Sequence, residues 1–90
     1  MIPYDKREGK IWYNNDLVNW QDVKLHVLSH GLHYASCVFE GERVYDGEIF
    51  KLEEHTKRFF HSARRIGFEI PYSEKDINDA SNKIVVSQKV

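Results

Sequence analysis

Residues 37–45, Cys37-Val38-Phe39-Glu40-Gly41-Glu42-Arg43-Val44-Tyr45, contain the side chains best suited to gripping a small ligand. The run reads as a strand, closed by the turn dipeptide Asp46-Gly47 and followed by Glu48 to Lys51, which together predict a β-hairpin. Successive strand side chains point to opposite faces. Phe39, Gly41, Arg43 and Tyr45 therefore share one face, and Val38, Glu40, Glu42 and Val44 share the other. The first face combines an aromatic wall, a gap without a side chain, and a guanidinium that can pair with a carboxylate in a two-pronged geometry. Such a surface suits a ligand with an apolar body and a carboxylate. The same residues also have a purely structural reading, in which Gly41 marks a bulge and Arg43 lays its stem over the rings.

Three further groups could do chemistry. His26, His30 and His33 stand at i, i+4 and i+7, a spacing that binds zinc when the segment is helical. The alternation of Val23, Leu25 and Val27 argues against a helix reaching back to His26, so no metal site is expected. Cys37 has no activating partner close in sequence and is expected to be a small buried residue rather than a nucleophile. Arg58 falls off the apolar stripe of its helix, so its guanidinium is free to meet a polar ligand. An exposed helical arginine is more often simply solvated.

The elements that must position these residues come in a simple order. Lys10 to Tyr13 and Leu17 to Trp20 flank the polar tip Asn14-Asn15-Asp16 and predict a first hairpin. Gln21 to Leu28 is ambiguous between strand and loop, and Ser29 is placed to cap a short helical turn over Gly31-Leu32-His33-Tyr34. After the second hairpin, Leu52, Phe59, Ala63 and Ile66 form one helical stripe. Glu53 and Glu54 at its start and Arg64 and Arg65 at its end suit the helix dipole, and Gly67 supplies a stop. Ser73 is a good N-cap, with Asp76 three residues on. It opens a helix carrying Ile77, Ala80, Ile84 and Val85 on one side. That helix shows no stop signal before Val90, which predicts a truncated piece of a longer chain. Strands followed by helices predict an α+β class, an antiparallel sheet of two hairpins with two helices packed on it.

Composition narrows the function further. Thirteen basic and 14 acidic residues give a net charge of -1, which offers no electrostatic footprint for nucleic acid. One cysteine excludes an intrachain disulfide, no stretch is long enough to span a membrane, and the first residues are no secretory signal. A soluble, cytoplasmic protein is expected. Aromatic residues make up 13% of a 90-residue chain, more rings than a core this small readily buries, so some are expected to face a ligand or partner.

The segments Ser29-His30-Gly31-Leu32-His33-Tyr34, Val38-Phe39-Glu40-Gly41-Glu42-Arg43, Tyr45-Asp46-Gly47 and Glu54-His55-Thr56-Lys57-Arg58 occur in an order and spacing that resemble the branched-chain amino acid aminotransferases. These belong to the fold-type IV group of pyridoxal-phosphate enzymes. The resemblance also covers Ile11-Trp12-Tyr13-Asn14 and continues through Gly67. It implies that residues 1–90 form the smaller amino-terminal domain of a two-domain homodimer, with the active site between the domains. The implied reaction is transfer of the amino group of leucine, isoleucine or valine to 2-oxoglutarate by a ping-pong cycle, with pyridoxal 5'-phosphate as cofactor. The resemblance assigns Arg58 to the cofactor phosphate. It places Tyr34, Phe39, Gly41 and Arg43 at the substrate, Tyr34 reaching toward the neighbouring subunit. It places the catalytic lysine in the larger domain, so no catalytic residue is expected here and the piece alone is expected to be inactive. His30 and His33 are expected to hydrogen-bond near the domain interface. D-amino acid aminotransferase and aminodeoxychorismate lyase, of the same fold, are the alternatives, with a non-catalytic interaction domain as the alternative from another class.

Overall fold

The structure, a computed structural model, describes residues 2–88. Strands β1 (Lys10–Tyr13) and β2 (Asp16–Asn19) pair antiparallel, with Tyr13 opposite Asp16 and Lys10 opposite Asn19. The two turn residues, Asn14 and Asn15, have φ of 48° and 74°. Asparagine tolerates this left-handed region, and two such residues in succession give the turn whose twist matches a hairpin. Short 3-10 turns flank the hairpin at Tyr4–Lys6 and Trp20–Asp22, and the Trp20 indole donates to the Tyr4 carbonyl.

The segment after Asp22 adopts no strand. Leu25, Val27 and Leu28 are exposed, so their alternation does not correspond to a buried sheet face. Helix α1 spans His30–Tyr34 and ends where Ala35 turns left-handed at φ 56°. Ser29 precedes it as expected but caps with its backbone. Its carbonyl accepts from Leu32 and His33, while its hydroxyl donates to the His26 carbonyl at 2.7 Å.

The second hairpin is shorter than its sequence suggests. Only Val44–Tyr45 (β3) and Glu48–Ile49 (β4) pair, around Asp46 and Gly47 at φ 49° and 79°. One further bond, from the Phe50 amide to the Arg43 carbonyl at 2.8 Å, prolongs the ladder. Residues 37–43 do not form a strand, because among the described residues no neighbouring strand pairs with them beyond the single Phe50–Arg43 bond at their end. The two hairpins form separate two-stranded sheets, β1-β2 and β3-β4.

Helix α2 (Leu52–Arg65) closes in a Schellman arrangement. Gly67, at φ 90°, donates to the Arg64 carbonyl and Phe68 donates to the Ala63 carbonyl. Helix α3 (Glu74–Gln88) begins with a reciprocal cap: the Asp76 amide donates to the Ser73 hydroxyl and the Ser73 amide to the Asp76 carboxylate, both at 3.0 Å. The expected absence of a stop before Val90 concerns residues outside those described.

Helix α3 packs on α2, β1 and β4 and so joins the helices to both hairpins. Ala63 of α2 and Ala80 and Val85 of α3 are buried, as is Thr56, whose hydroxyl donates to the Asn78 side chain. Trp12 of β1 meets Tyr72, just before α3, edge-on at 5.0 Å between ring centres. Ile66, expected on the apolar stripe of α2, is half exposed because it lies at the helix end, where the chain turns away. The class is α+β, with two antiparallel hairpins and packed helices.

Because both members of the α3 cap depend on Ser73, Ser73→Ala removes one amide's only side-chain acceptor. The expected cost is about 1 kcal/mol, read as a lower denaturation midpoint in urea at unchanged slope. An unchanged midpoint would show that α3 is held by packing alone.

Candidate functional site

The segment 37–43 lacks a strand partner yet keeps a period of two from Cys37 to Gly41, which lapses at the exposed Glu42. Val38 and Glu40 are half-buried, whereas Phe39, Gly41 and Arg43 are exposed. An extended backbone preserves this alternation without a ladder. Phe39 is 89% exposed, and a Cβ built on Gly41 would meet nothing within 4 Å. Gly41 does not adopt a positive φ, so the backbone does not require glycine there. The bulge interpretation of Gly41 thus has no torsional support.

Arg43 contributes its carbonyl to the hairpin, and among the described residues its guanidinium has no hydrogen-bond partner. Tyr34 lies on α1, its ring 4.7 Å from His30 and 6.3 Å from His33 between centres. No ring stack or hydrogen bond joins Tyr34 to Phe39, Gly41 or Arg43 among the described residues. A cleft of about 490 Å³ lies elsewhere, between Arg7, Trp20 and Gln88, and holds none of the five candidates.

The opposite side of segment 37–43 is where polar chemistry concentrates. Glu40 points to α2, and its side chain is only 10% exposed. Arg58 grips it with two bonds, Nε to Oε2 at 2.8 Å and Nη2 to Oε1 at 2.7 Å. His55, one helical turn before Arg58, places Nδ1 2.7 Å from the same Oε1. A carboxylate oxygen at that distance requires the proton on Nδ1, so His55 donates. The 3.3 Å approach of Arg58 Nη2 to His55 Nδ1 is then two donors converging on one acceptor.

The electrostatics follow from this geometry. The Arg58 and His55 hydrogen bonds hold the Glu40 carboxyl down from its ordinary 4.5 to about 2, against the opposing effect of burial. The same pairing raises Arg58 above its usual value. Partial burial raises Glu42, with His55 acting in the opposite direction.

Sequence reasoning placed Arg58 off the apolar stripe but missed its partners. Two signals were present: His55 and Arg58 are spaced i, i+3, and strand parity put Glu40 on the face away from Phe39. Cys37 proves exposed rather than buried. Among the described residues no three His, Cys, Asp or Glu side chains converge as a metal site, and the His26 ring instead accepts the Leu28 amide at 3.0 Å. No helix among the described residues is long and apolar enough to cross a membrane.

Comparison with known proteins gives this geometry its context. The model of the family described as Amino-transferase class IV matches residues 37–89, from the unpaired segment through both long helices. A probable branched-chain-amino-acid aminotransferase of Rickettsia felis is 46% identical over 88 residues, 98% of this chain and 30% of that protein. The branched-chain-amino-acid aminotransferase of Pseudomonas aeruginosa is 48% identical over 83 residues, 88% of this chain and 27% of that protein. The crystal structure of a branched-chain aminotransferase from Thermoproteus uzoniensis with norvaline superposes with a TM-score of 0.87 at 32% identity, covering 93% of this chain and 30% of that one. The chain belongs to the class IV aminotransferase family. It spans about 30% of the length of the curated relatives it matches.

The Glu40 pairing has a testable pH signature. A depressed carboxyl stabilises the folded state fully above its ordinary 4.5, and that contribution is lost as pH falls through about 2. The stability difference between wild type and Glu40→Gln in the whole protein should therefore shrink from pH 4.5 to pH 2. Urea midpoints of both proteins across this range measure it, and a constant difference would refute the pairing.

Proposed function

We propose that this chain forms the substrate-facing part, and one phosphate anchor, of a branched-chain amino acid aminotransferase. The reaction we assign moves the amino group of leucine, isoleucine or valine to 2-oxoglutarate with pyridoxal 5'-phosphate as cofactor, in a cytoplasmic homodimer. The observation that supports it is the Arg58 guanidinium, fixed along one edge by Glu40 and 63% exposed. Its Nη1 has no hydrogen bond among the described residues, so donors remain for a phosphate. When bound, the cofactor supplies the electron sink that lets the bonds around the amino-bearing carbon break.

This chain's own residues then bind and orient. Arg58 takes the phosphate. Phe39 and Tyr34 exclude water from an aliphatic side chain, Gly41 leaves room for its branch, and Arg43 donates to its carboxylate. Phe39, Gly41 and Arg43 lie exposed on the side of segment 37–43 away from α2, as a surface completed by other parts of the protein would be. The norvaline bound by the Thermoproteus uzoniensis relative has the same two features, an aliphatic side chain and a carboxylate. We assign the proton-moving lysine to none of the lysines in this chain.

Two substitutions in the whole enzyme test the assignment. Arg58→Ala should weaken pyridoxal 5'-phosphate binding by about 2–3 kcal/mol, the loss expected for charge-assisted bonds, and should also lower the stability of the apo protein, because it leaves Glu40 without its bidentate partner. Equal dissociation constants for wild type and variant would remove Arg58 from the site. Gly41→Val should fold and bind cofactor, because a Cβ meets nothing and the torsion is ordinary. Its kcat/KM for leucine, isoleucine and valine should fall roughly tenfold to a hundredfold through overpacking. Unaltered kinetics in a normally stable variant would take Gly41 out of the substrate pocket.

A further inference from the structure

We infer that Glu40, braced by His55, is a positioning residue that holds the Arg58 guanidinium ready for a phosphate ester. This rests on the reading of Arg58 as a phosphate anchor and goes beyond it, since neither Glu40 nor His55 touches the phosphate.

The contrast in exposure shows which partner is fixed. The Glu40 side chain is 10% exposed and that of His55 18%, whereas Arg58 is 63% exposed. The more enclosed carboxylate is thus the anchor, and the arginine reaches outward from it. Glu40 occupies the edge of the guanidinium made by Nε and Nη2. An arginine carries five N–H donors, and this arrangement leaves the edge between Nη1 and Nη2 to meet two phosphate oxygens in a second fork. His55 matters because it donates a second bond to the same Oε1, so the carboxylate keeps a tie to α2 that does not depend on the arginine. A long, flexible side chain ordered before the ligand arrives loses less freedom on binding.

A competing arrangement is physically distinct. Were Glu40 a rival for the guanidinium, each phosphate would have to displace it, and removing its charge would tighten binding. The Nε–Nη2 geometry opposes that, because the occupied edge is not the end of the guanidinium.

Cofactor affinity in the whole enzyme separates the possibilities. Dissociation constants for pyridoxal 5'-phosphate and for pyridoxal, which lacks the phosphate, would be measured for wild type, Glu40→Gln, Arg58→Ala and the double variant. Glu40→Gln should weaken pyridoxal phosphate binding roughly tenfold, the scale of one charge-assisted bond, and leave pyridoxal unchanged. In the Arg58→Ala background the same change should do nothing further. If Arg58→Ala itself leaves pyridoxal phosphate binding intact, the anchor reading fails and the positioning role falls with it. If Arg58→Ala weakens binding but Glu40→Gln is neutral or tightens it, the anchor stands and the positioning role is overturned. Equal losses for both ligands would mark Glu40 as merely structural. Should Glu40→Gln not fold, His55→Gln replaces it in the same comparison, with a smaller loss expected in the same direction and confined to the phosphorylated ligand.

Discussion

A carboxylate withdrawn from water must be paired, or the free-energy cost of its desolvation falls on the fold. Glu40 meets that requirement with a bidentate arginine and a histidine from one face of α2. The consequence reaches beyond electrostatics. Residues 37–43 have no sheet partner among the described residues, so the Glu40 pairing is a principal tie between this segment and the rest of the chain. By strand-like alternation, fixing Glu40 toward α2 also fixes Phe39 and Gly41 away from it. One ionic contact, half-buried on its carboxylate side, thereby determines which side of the segment faces away from α2.

The apolar packing that supports this contact is slight. The buried side chains are small ones on α2 and α3, while Leu25, Val27, Leu28, Leu32, Tyr34 and Phe39 lie open. These six fall in one stretch of sequence, from the irregular segment through α1 to the candidate substrate face. The helices form a firmer base, with α3 in contact with α2, β1 and β4.

Features governed by local chemistry were legible in the sequence. The Asn14-Asn15 and Asp46-Gly47 turns, the Gly67 stop and the Ser73 cap each depend on residues within a few positions of one another, and each forms as its residue types require. Strand length was not legible, because a strand needs a partner supplied from elsewhere in space. Cys37 to Arg43 has strand-like composition and no ladder, and Val23, Leu25 and Val27 alternate in an irregular segment. Cys37 was misjudged for the same reason: its exposure depends on what covers it, not on its neighbours in sequence. For the site, helical phase identified Arg58 as a polar-facing residue, but its contact with Glu40, 18 positions away, is tertiary.

Fold alone does not specify chemistry, and the class IV architecture here is no exception. What the physical reading adds to family membership is a division of labour across one short segment. Its inward side is committed to a charge cluster with an arginine at its outer edge, and its outward side is open, with Phe39 and Arg43 on either side of a glycine that the backbone does not need. A glycine without torsional demand leaves open space as its physical effect, since a Cβ there would meet nothing within 4 Å. The two sides cannot be altered independently, since a one-residue slip would exchange Glu40 with Phe39 or Gly41. A charge would then face outward and a ring or a bare glycine would face Arg58, so the pairing of Glu40 with Arg58 fixes the phase of the segment as well as ordering the arginine.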